Sequence, residues 1–223
     1  IIFLGGMYNY DESRLRMLRV PYVISGSGKT VPEDTGTYPK SALVTTDTEI
    51  ESQSMVDYLC SCGHKRIAFI TSGDEGLGRC HLNGYKRSLE KNGLEYDEKL
   101  IIRLKPGKRI YTIENGYNCT CELLKSGVDF SCIYAISDTL AVGACRAVID
   151  SGKRVPEDYC VAGADGQDIA EYYHPSITTL KYPRVEIALQ SVRTLFDLIN
   201  RKKVVKRQIL GGTLIEREST RKL

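Results

Sequence analysis

The chain has 223 residues, of which 42% are apolar and 26% are charged. The apolar share is ordinary for a globular protein and the net charge of +3 is small, which excludes an intrinsically disordered chain. Because Lys+Arg 31 stand against Asp+Glu 28, the charge balance does not indicate a nucleic-acid-binding surface. No uncharged apolar run approaches the ~18 residues of a membrane span, and the length corresponds to about one and a half average domains.

The first segment, Ile1 to Gly6, is uncharged, lacks an initiator methionine and has no charged leader. Its composition is typical of the interior of a buried strand and not of a natural N-terminus. We therefore expect this sequence to begin inside a longer protein.

Short apolar runs then alternate with longer segments in which apolar residues recur every three to four positions. This alternation predicts strand–helix units around a parallel sheet whose strands are buried on both faces. The predicted strands are Ile1 to Leu4, Tyr22 to Ile24, Leu43 to Thr45, Ile67 to Thr71, Leu100 to Leu104, Cys132 to Ala135, Cys160 to Ala164 and Ile177 to Leu180. The predicted helices are Ser13 to Arg19, Glu49 to Cys62, Cys80 to Asn92, Gly116 to Ser126, Thr139 to Ser151 and Val185 to Asn200. Glycines at the left-handed position that ends a helix are expected at Gly63, Gly93, Gly127 and Gly152.

One segment, Gly26 to Thr30, partly matches a phosphate-binding loop. That motif requires a glycine five positions before Gly28, where this sequence has Val23. Pro32 and Pro39 also prevent the long helix whose N–H groups would face a phosphate. We therefore do not expect nucleotide hydrolysis.

The histidines and cysteines do not predict an enzyme or a metal site. His64, His81 and His174 do not lie in a recognisable nucleophile elbow, so no Ser-His-Asp set is predicted. The eight cysteines lie inside apolar segments, which is typical of reduced core residues in a cytosolic protein. Their spacing does not match a zinc site, and we expect neither a metal nor a cofactor.

Polar residues follow the carboxyl ends of several predicted strands, where parallel α/β sheets bind their ligands. They are Asp47, Asp74, Arg79, His81, Ser137, Asp138 and Asp165. Carboxylates, an arginine and hydroxyl groups suit a polyol or another small polar ligand. For any one of these residues, a helix cap or a solvated turn is an equally good interpretation. Their common placement favours a binding site.

Six segments in order along the chain carry family motifs. They are Asp47 with Tyr58 to Ile70, Asn83-Gly84-Tyr85, Ala135 to Gly143, Gly152 to Asp165, Pro175 to Leu180, and Leu214 to Thr220. Together they resemble, nearly end to end, the lactose-repressor (LacI) family of transcriptional regulators. A single motif of this kind is weak, whereas six in the family's order are specific.

The resemblance implies an α/β fold of the periplasmic-binding-protein-like type, with two parallel-sheet lobes joined by crossing strands and a ligand cleft between them. Residues 1–64 plus 182–206 would form an incomplete N-terminal lobe, and residues 65–181 plus 207–223 the C-terminal lobe. The family's helix-turn-helix domain and the first two strand–helix units would be absent from this sequence. Ile1 to Leu4 would then be the third strand of the first lobe.

The resemblance also implies a function. The chain would be the effector-sensing and dimerisation domain of a cytoplasmic DNA-binding regulator, a homodimer that binds a small sugar-like ligand and is not an enzyme. Contact with operator DNA would require the missing N-terminal domain, and no membrane partner is expected. The alternative is a periplasmic-type sugar-binding protein of a transporter, against which the reduced cysteines and the Gly152 to Asp158 and Leu214 to Thr220 motifs argue. An enzyme is the third interpretation, which turnover of a bound ligand would support.

Three effector contacts carry over from the family by position. Asp165 matches its acidic effector-binding residue, whose carboxylate can accept two hydroxyl or N–H donors. Tyr111 lies where the family has an aromatic side chain that packs against the effector ring, although a core position is an alternative for this residue. Ser137 lies where many members have asparagine and offers a shorter reach.

The sequence departs from the family pattern at two other positions. His81 lies where the family usually has arginine, and it offers at most two donors and titrates near neutrality. Arg79, two residues earlier, could make that contact instead. Ala164 replaces the usual aromatic residue, so the effector could differ from a typical sugar. The predicted effector-binding set is Asp165, Tyr111, His81, Arg79, Ser137, Asp138 and Asp47.

Overall fold

The structure is a computed structural model that describes residues 1–5, 12–26, 40–105, 107 and 109–223. The greater part of the segment that partly matches a phosphate-binding loop, from Ser27 onwards, lies outside the described residues, as do Pro32 and Pro39. The chain forms two compact units. The first comprises Ile1–Asp47 and Pro183–Gly212, and the second Thr48–Tyr182 and Thr213–Leu223.

The elements follow one another as strand–helix units. The strands are β1 (Ile2–Leu4), β2 (Tyr22–Ser25), β3 (Ser41–Thr45), β4 (Ile67–Thr71), β5 (Ile101–Arg103), β6 (Cys132–Ala135), β7 (Cys160–Asp165), β8 (Thr178–Lys181), β9 (Arg207–Ile209) and β10 (Thr213–Ile215). The α-helices are α1 (Glu12–Arg16), α2 (Thr48–Ser61), α3 (Gly76–Lys91), α4 (Ile113–Lys125), α5 (Asp138–Asp150), α6 (Asp168–Tyr172) and α7 (Arg184–Ile199). A 3-10 helix, Glu98–Leu100, precedes β5.

The first unit is built on a four-stranded parallel sheet in the order β1-β2-β3-β9. Its core contains Leu15, Tyr22, Ile24 and Leu43, against which Phe3 packs. Helix α7 packs on β2 and β3, and a hydrogen bond of 2.8 Å from Ser191 to the Ser25 hydroxyl links the helix to β2.

The second unit is built on a six-stranded sheet in the order β10-β8-β7-β6-β4-β5, in which β10 is antiparallel and the other strands are parallel. Every residue of β4 and β6 is buried, as a sheet covered on both faces requires. Phe69 lies at the centre of this core, with the rings of Tyr85 and Tyr134 stacked at 4.9 and 5.2 Å.

Glycines allow two helix pairs of the second unit to pack at backbone distance. A Cβ atom at Gly84 of α3 would lie 2.2 Å from the Glu49 carbonyl oxygen of α2. In the pair α4 and α5, a Cβ at Gly116 would lie 2.1 Å from the Leu140 carbonyl oxygen, and one at Gly143 would lie 2.0 Å from that of Ile113. Gly84 and Gly143 belong to the family motifs, and their role in this fold is close helix packing.

Most predicted elements are confirmed. All eight predicted strands and all six predicted helices are present, and β4 and β6 have the predicted bounds. The four helix-ending glycines have φ between 66° and 97°, as expected. Among the described residues, four short elements were not predicted, namely the 3-10 helix, α6, β9 and β10.

The chain passes from one unit to the other at three points, and two of these boundaries differ from those of the predicted lobes. Helix α2 belongs to the second unit because it packs along α3, so the boundary follows Asp47 instead of residue 64. Residues 207–212 belong to the first unit because β9 pairs with β3. The remaining crossing, between Tyr182 and Pro183, lies one residue from the predicted position.

The cysteines are thiols, as the sequence predicts. Five are buried, and Cys60, Cys119 and Cys121 are partly buried. Within the part of the chain that the structure describes, no helix is both long and apolar enough to cross a membrane.

Candidate functional site

The carboxyl edge of the second sheet contains the point where the strand order reverses. From β4 the chain moves outward to β5, and after β6 it moves in the opposite direction to β7 and β8. Open parallel sheets bind ligands in the crevice outside the carboxyl ends of the strands at such a point. The sheet brings together here the ends of β6 and β7, which carry Ser137, Asp138 and Asp165.

Asp165 is the last residue of β7 and is partly buried. Its φ of 97° lies in the left-handed region, which is rare for a residue with a side chain. Its carbonyl oxygen accepts a hydrogen bond of 3.3 Å from the Tyr182 amide. Its Oδ2 accepts one of 3.1 Å from the Gln167 side chain. The backbone therefore places this carboxylate in a direction that an ordinary strand end would not give.

Asp138, the first residue of α5, is completely buried. Its Oδ1 accepts a hydrogen bond of 2.6 Å from the Thr179 hydroxyl, and its Oδ2 accepts one of 2.6 Å from the Gln167 amide. Burial disfavours the charged form and raises the pKa of Asp138 to about 6, although these two hydrogen bonds act in the opposite direction. Both carboxylate oxygens are thus engaged by the protein.

Ser137 and Tyr111 are linked through Thr139. The Thr139 hydroxyl donates to the Tyr111 carbonyl oxygen at 3.2 Å, so the Ser137 hydroxyl is the donor in its 3.0 Å contact with Thr139. Ser137 Oγ in turn accepts from the Leu140 amide at 3.4 Å and caps α5. This chain of bonds brings the Tyr111 backbone to the start of α5. The Tyr111 side chain is 44% exposed, so it is not a core residue.

His81 and Arg79 lie on α3, the helix that follows β4. His81 is partly buried, and its Nδ1 is buried without a hydrogen-bond partner among the described residues. Burial lowers the pKa of His81 to about 4, so the imidazole is neutral at pH 7. It cannot supply the positive charge of the arginine found at this position in the LacI pattern. Arg79 is exposed.

Asp47 belongs to the first unit, whereas the residues above belong to the second. It is partly buried and is the last residue of the first unit, two positions after β3.

Four residues at the carboxyl edge were not singled out from the sequence: Thr71, Gly166, Gln167 and Thr179. Thr71 is the last residue of β4, and its Oγ1 is buried without a partner among the described residues. The sequence could have indicated it, because it lies at the carboxyl end of a predicted strand. Thr179 lies inside β8 and meets Asp138 across 41 residues of sequence, for which no local pattern exists. Among the described residues, no group of three or more His, Cys, Asp or Glu side chains could hold a metal ion.

The sequence model of the periplasmic binding protein-like domain matches residues 56–220. The transcriptional regulator MalR of Clostridium butyricum is 35% identical over 221 residues. The chain belongs to the LacI family of regulators. CelR of Thermobifida fusca is a second family member, 32% identical over 202 residues. The alignments cover 98% and 90% of this chain but 64% and 56% of MalR and CelR, so this LacI-family chain spans less than two thirds of either relative.

Solved LacI-family structures have the same α/β fold with two parallel-sheet lobes, which confirms the predicted fold class. A CelR–cellobiose complex superposes with a TM-score of 0.80 at 30% identity, covering 98% of this chain and 64% of the other. The repressor AscG of Escherichia coli gives a TM-score of 0.79 at 27% identity, covering 93% and 72%. A regulator from Enterococcus faecium with bound ribose gives 0.72 at 27% identity, covering 91% and 72%.

Proposed function

We propose that this chain is the effector-binding domain of a LacI-family transcriptional regulator and that its effector is a sugar or a related small polar molecule. Family membership and the relatives solved with cellobiose and ribose support this function. The observation in this chain that carries it is Asp165, a carboxylate held at the carboxyl edge of the sheet by a left-handed backbone.

The arrangement suits a polyol. The Asp165 carboxylate can accept hydrogen bonds from two hydroxyl groups, and the exposed ring of Tyr111 offers an apolar face on which a sugar ring can pack. Ser137, Arg79, His81 and Asp47 remain predicted contacts. Since His81 is neutral at pH 7, Arg79 is the better candidate for a contact with an anionic group such as a phosphate.

We further propose that the domain is part of a cytoplasmic, homodimeric regulator that reaches operator DNA through a separate N-terminal helix-turn-helix module. An effector can change operator binding only by the difference between its affinities for the two states of the regulator.

Calorimetric titration tests the binding function. The 223-residue chain is titrated with cellobiose, ribose, further sugars, nucleosides and sugar phosphates. We expect saturable binding of at least one compound, and about 10- to 100-fold weaker binding for Asp165→Ala, because hydrogen bonds to a charged group contribute about 1.5–3 kcal/mol.

Asp129→Ala is the matched control, because Asp129 precedes β6 at the amino edge of the same sheet and its side chain is 88% exposed. We expect its affinity to equal that of the wild type. Failure of every compound to bind, or equal affinity after Asp165→Ala, would contradict the proposed function.

A further inference from the structure

The loop that carries Asp165 has a backbone that must be held in place. Asp165 and Gly166 have φ values of 97° and 63°, so two consecutive residues lie in the left-handed region. For Asp165 such a conformation costs on the order of 1–3 kcal/mol and persists only where the surroundings impose it. The contacts of residues 166 and 167 identify what imposes it here.

Two side chains from outside the loop bind its backbone. The Gly166 amide donates to the Thr179 hydroxyl oxygen at 3.3 Å, and that hydroxyl donates to Asp138 Oδ1 at 2.6 Å. The Gln167 amide donates to Asp138 Oδ2 at 2.6 Å, while the Gln167 side chain donates to Asp165 Oδ2 at 3.1 Å. Asp138 is therefore connected to the Asp165 carboxylate through a single residue.

Packing leaves this network little room to rearrange. A Cβ atom at Gly163 of β7 would lie 2.4 Å from Asp138 Oδ1. A Cβ at Gly166 would lie 2.7 Å from the Lys181 Cα atom of β8. Both glycines thus allow the buried carboxylate and the neighbouring strand to approach the loop closely.

Asp138 itself has no surface to offer an effector, because it is completely buried and both of its oxygens accept hydrogen bonds from the protein. We propose that Asp138 and Thr179 are a positioning pair that fixes residues 165–167 and so directs the Asp165 carboxylate towards the effector. The role towards the effector rests on the proposed function, whereas the fixing of the loop does not. This assignment replaces the predicted direct contact of Asp138.

The test uses Asp138→Ala, which removes the hydrogen bonds from Gln167 and Thr179, and Thr179→Val, which removes those to Gly166 and Asp138. Thr179→Ser, which keeps the hydroxyl, is the comparison. Amide hydrogen exchange of Gly166 and Gln167 is measured by NMR in the ligand-free 223-residue chain. Cellobiose affinity is measured by calorimetry in the same samples. We expect exchange to become about tenfold faster and cellobiose to bind about tenfold more weakly in Asp138→Ala and Thr179→Val. In Thr179→Ser, the exchange rates and the cellobiose affinity should equal those of the wild type.

Ser219→Ala is the control for general destabilisation. Ser219 bonds Thr178 and Val161 at the other end of the same two strands, so its loss weakens β7 and β8 without touching the loop. It should leave both readouts unchanged. Wild-type exchange rates at residues 166 and 167 in folded Thr179→Val would overturn the proposal, as would wild-type cellobiose affinity in that variant. If the wild-type chain does not bind cellobiose, the proposed function fails for this sugar. The exchange rates of residues 166 and 167 still decide whether Asp138 and Thr179 fix the loop.

Discussion

Two side chains of the second unit, the buried Asp138 and the partly buried His81, have pKa values shifted in opposite directions by the same cause. Burial raises the pKa of Asp138 to about 6 and lowers that of His81 to about 4. In each case the low-dielectric surroundings disfavour the charged form. The two residues therefore make opposite contributions to the pH dependence of stability.

For Asp138, the folded pKa lies above the ordinary value of 3.8, so between these values the folded state binds more protons than the unfolded state. Its contribution to stability consequently falls as pH rises from about 4 to about 6. We expect the free energy of unfolding of the wild type, relative to Asp138→Asn, to decrease by about 3 kcal/mol across this window. Urea unfolding at several pH values measures this difference, and parallel curves would contradict it.

For His81, the folded pKa lies below the ordinary value of 6.5, so the unfolded state binds more protons between about pH 4 and 6.5. Its contribution to stability is therefore lost as pH falls through this range. We expect His81→Gln to lose less stability than the wild type between about pH 6.5 and pH 4.5. Equal acid sensitivity of His81→Gln and wild type would refute this cause.

At the scale of elements, the pair α2 and α3 depends on Gly84. The nearest atom to an added Cβ is a backbone oxygen of α2, which a side-chain rotation cannot move away. We expect Gly84→Ala to lower the free energy of unfolding by about 3 kcal/mol, since overpacking forces backbone shifts. Glu90→Ala, at an exposed position of the same helix, should change it by less than about 0.5 kcal/mol. A urea midpoint for Gly84→Ala equal to that of the wild type would contradict the close approach.

The sequence predicts an element well where its pattern is local. The apolar runs Ile67 to Thr71 and Cys132 to Ala135 become β4 and β6 because burial on both faces requires such runs. Strand β9 is not predicted because its three residues, Arg207 to Ile209, are mostly exposed and so do not form an apolar run. It pairs with β3 across more than 150 residues of sequence.

The site is predictable to a similar extent. The position of polar residues after the carboxyl ends of predicted strands identifies Ser137, Asp138 and Asp165, which the structure brings to one edge of the sheet. It cannot separate the buried carboxylate of Asp138 from the partly buried one of Asp165. That distinction depends on Gln167 and Thr179, which lie 29 and 41 residues from Asp138.

For the whole molecule, the reaction rates of the thiols depend on how deeply each cysteine is buried. The number of thiols that react tests the absence of disulfides among the described residues. Burial raises the pKa of the Cys60 and Cys119 thiols, which disfavours the reactive thiolate. We therefore expect the three partly buried cysteines to react slowly with a disulfide reagent in the native protein, and the five buried ones more slowly still. All eight cysteines should react in urea. A buried cysteine that reacts before the partly buried ones, or fewer than eight reactive thiols in urea, would contradict the assignment.

The proposed effector site lies at the carboxyl edge of the second sheet. Amide chemical shifts of the 223-residue chain, recorded by NMR during titration with cellobiose and ribose, test it most directly. We expect the largest shifts at Tyr111, at residues 137–139 and at residues 165–167. Shifts concentrated at the amino edge of the second sheet, around His64 and Ser131, would contradict it, as would unchanged spectra with both sugars.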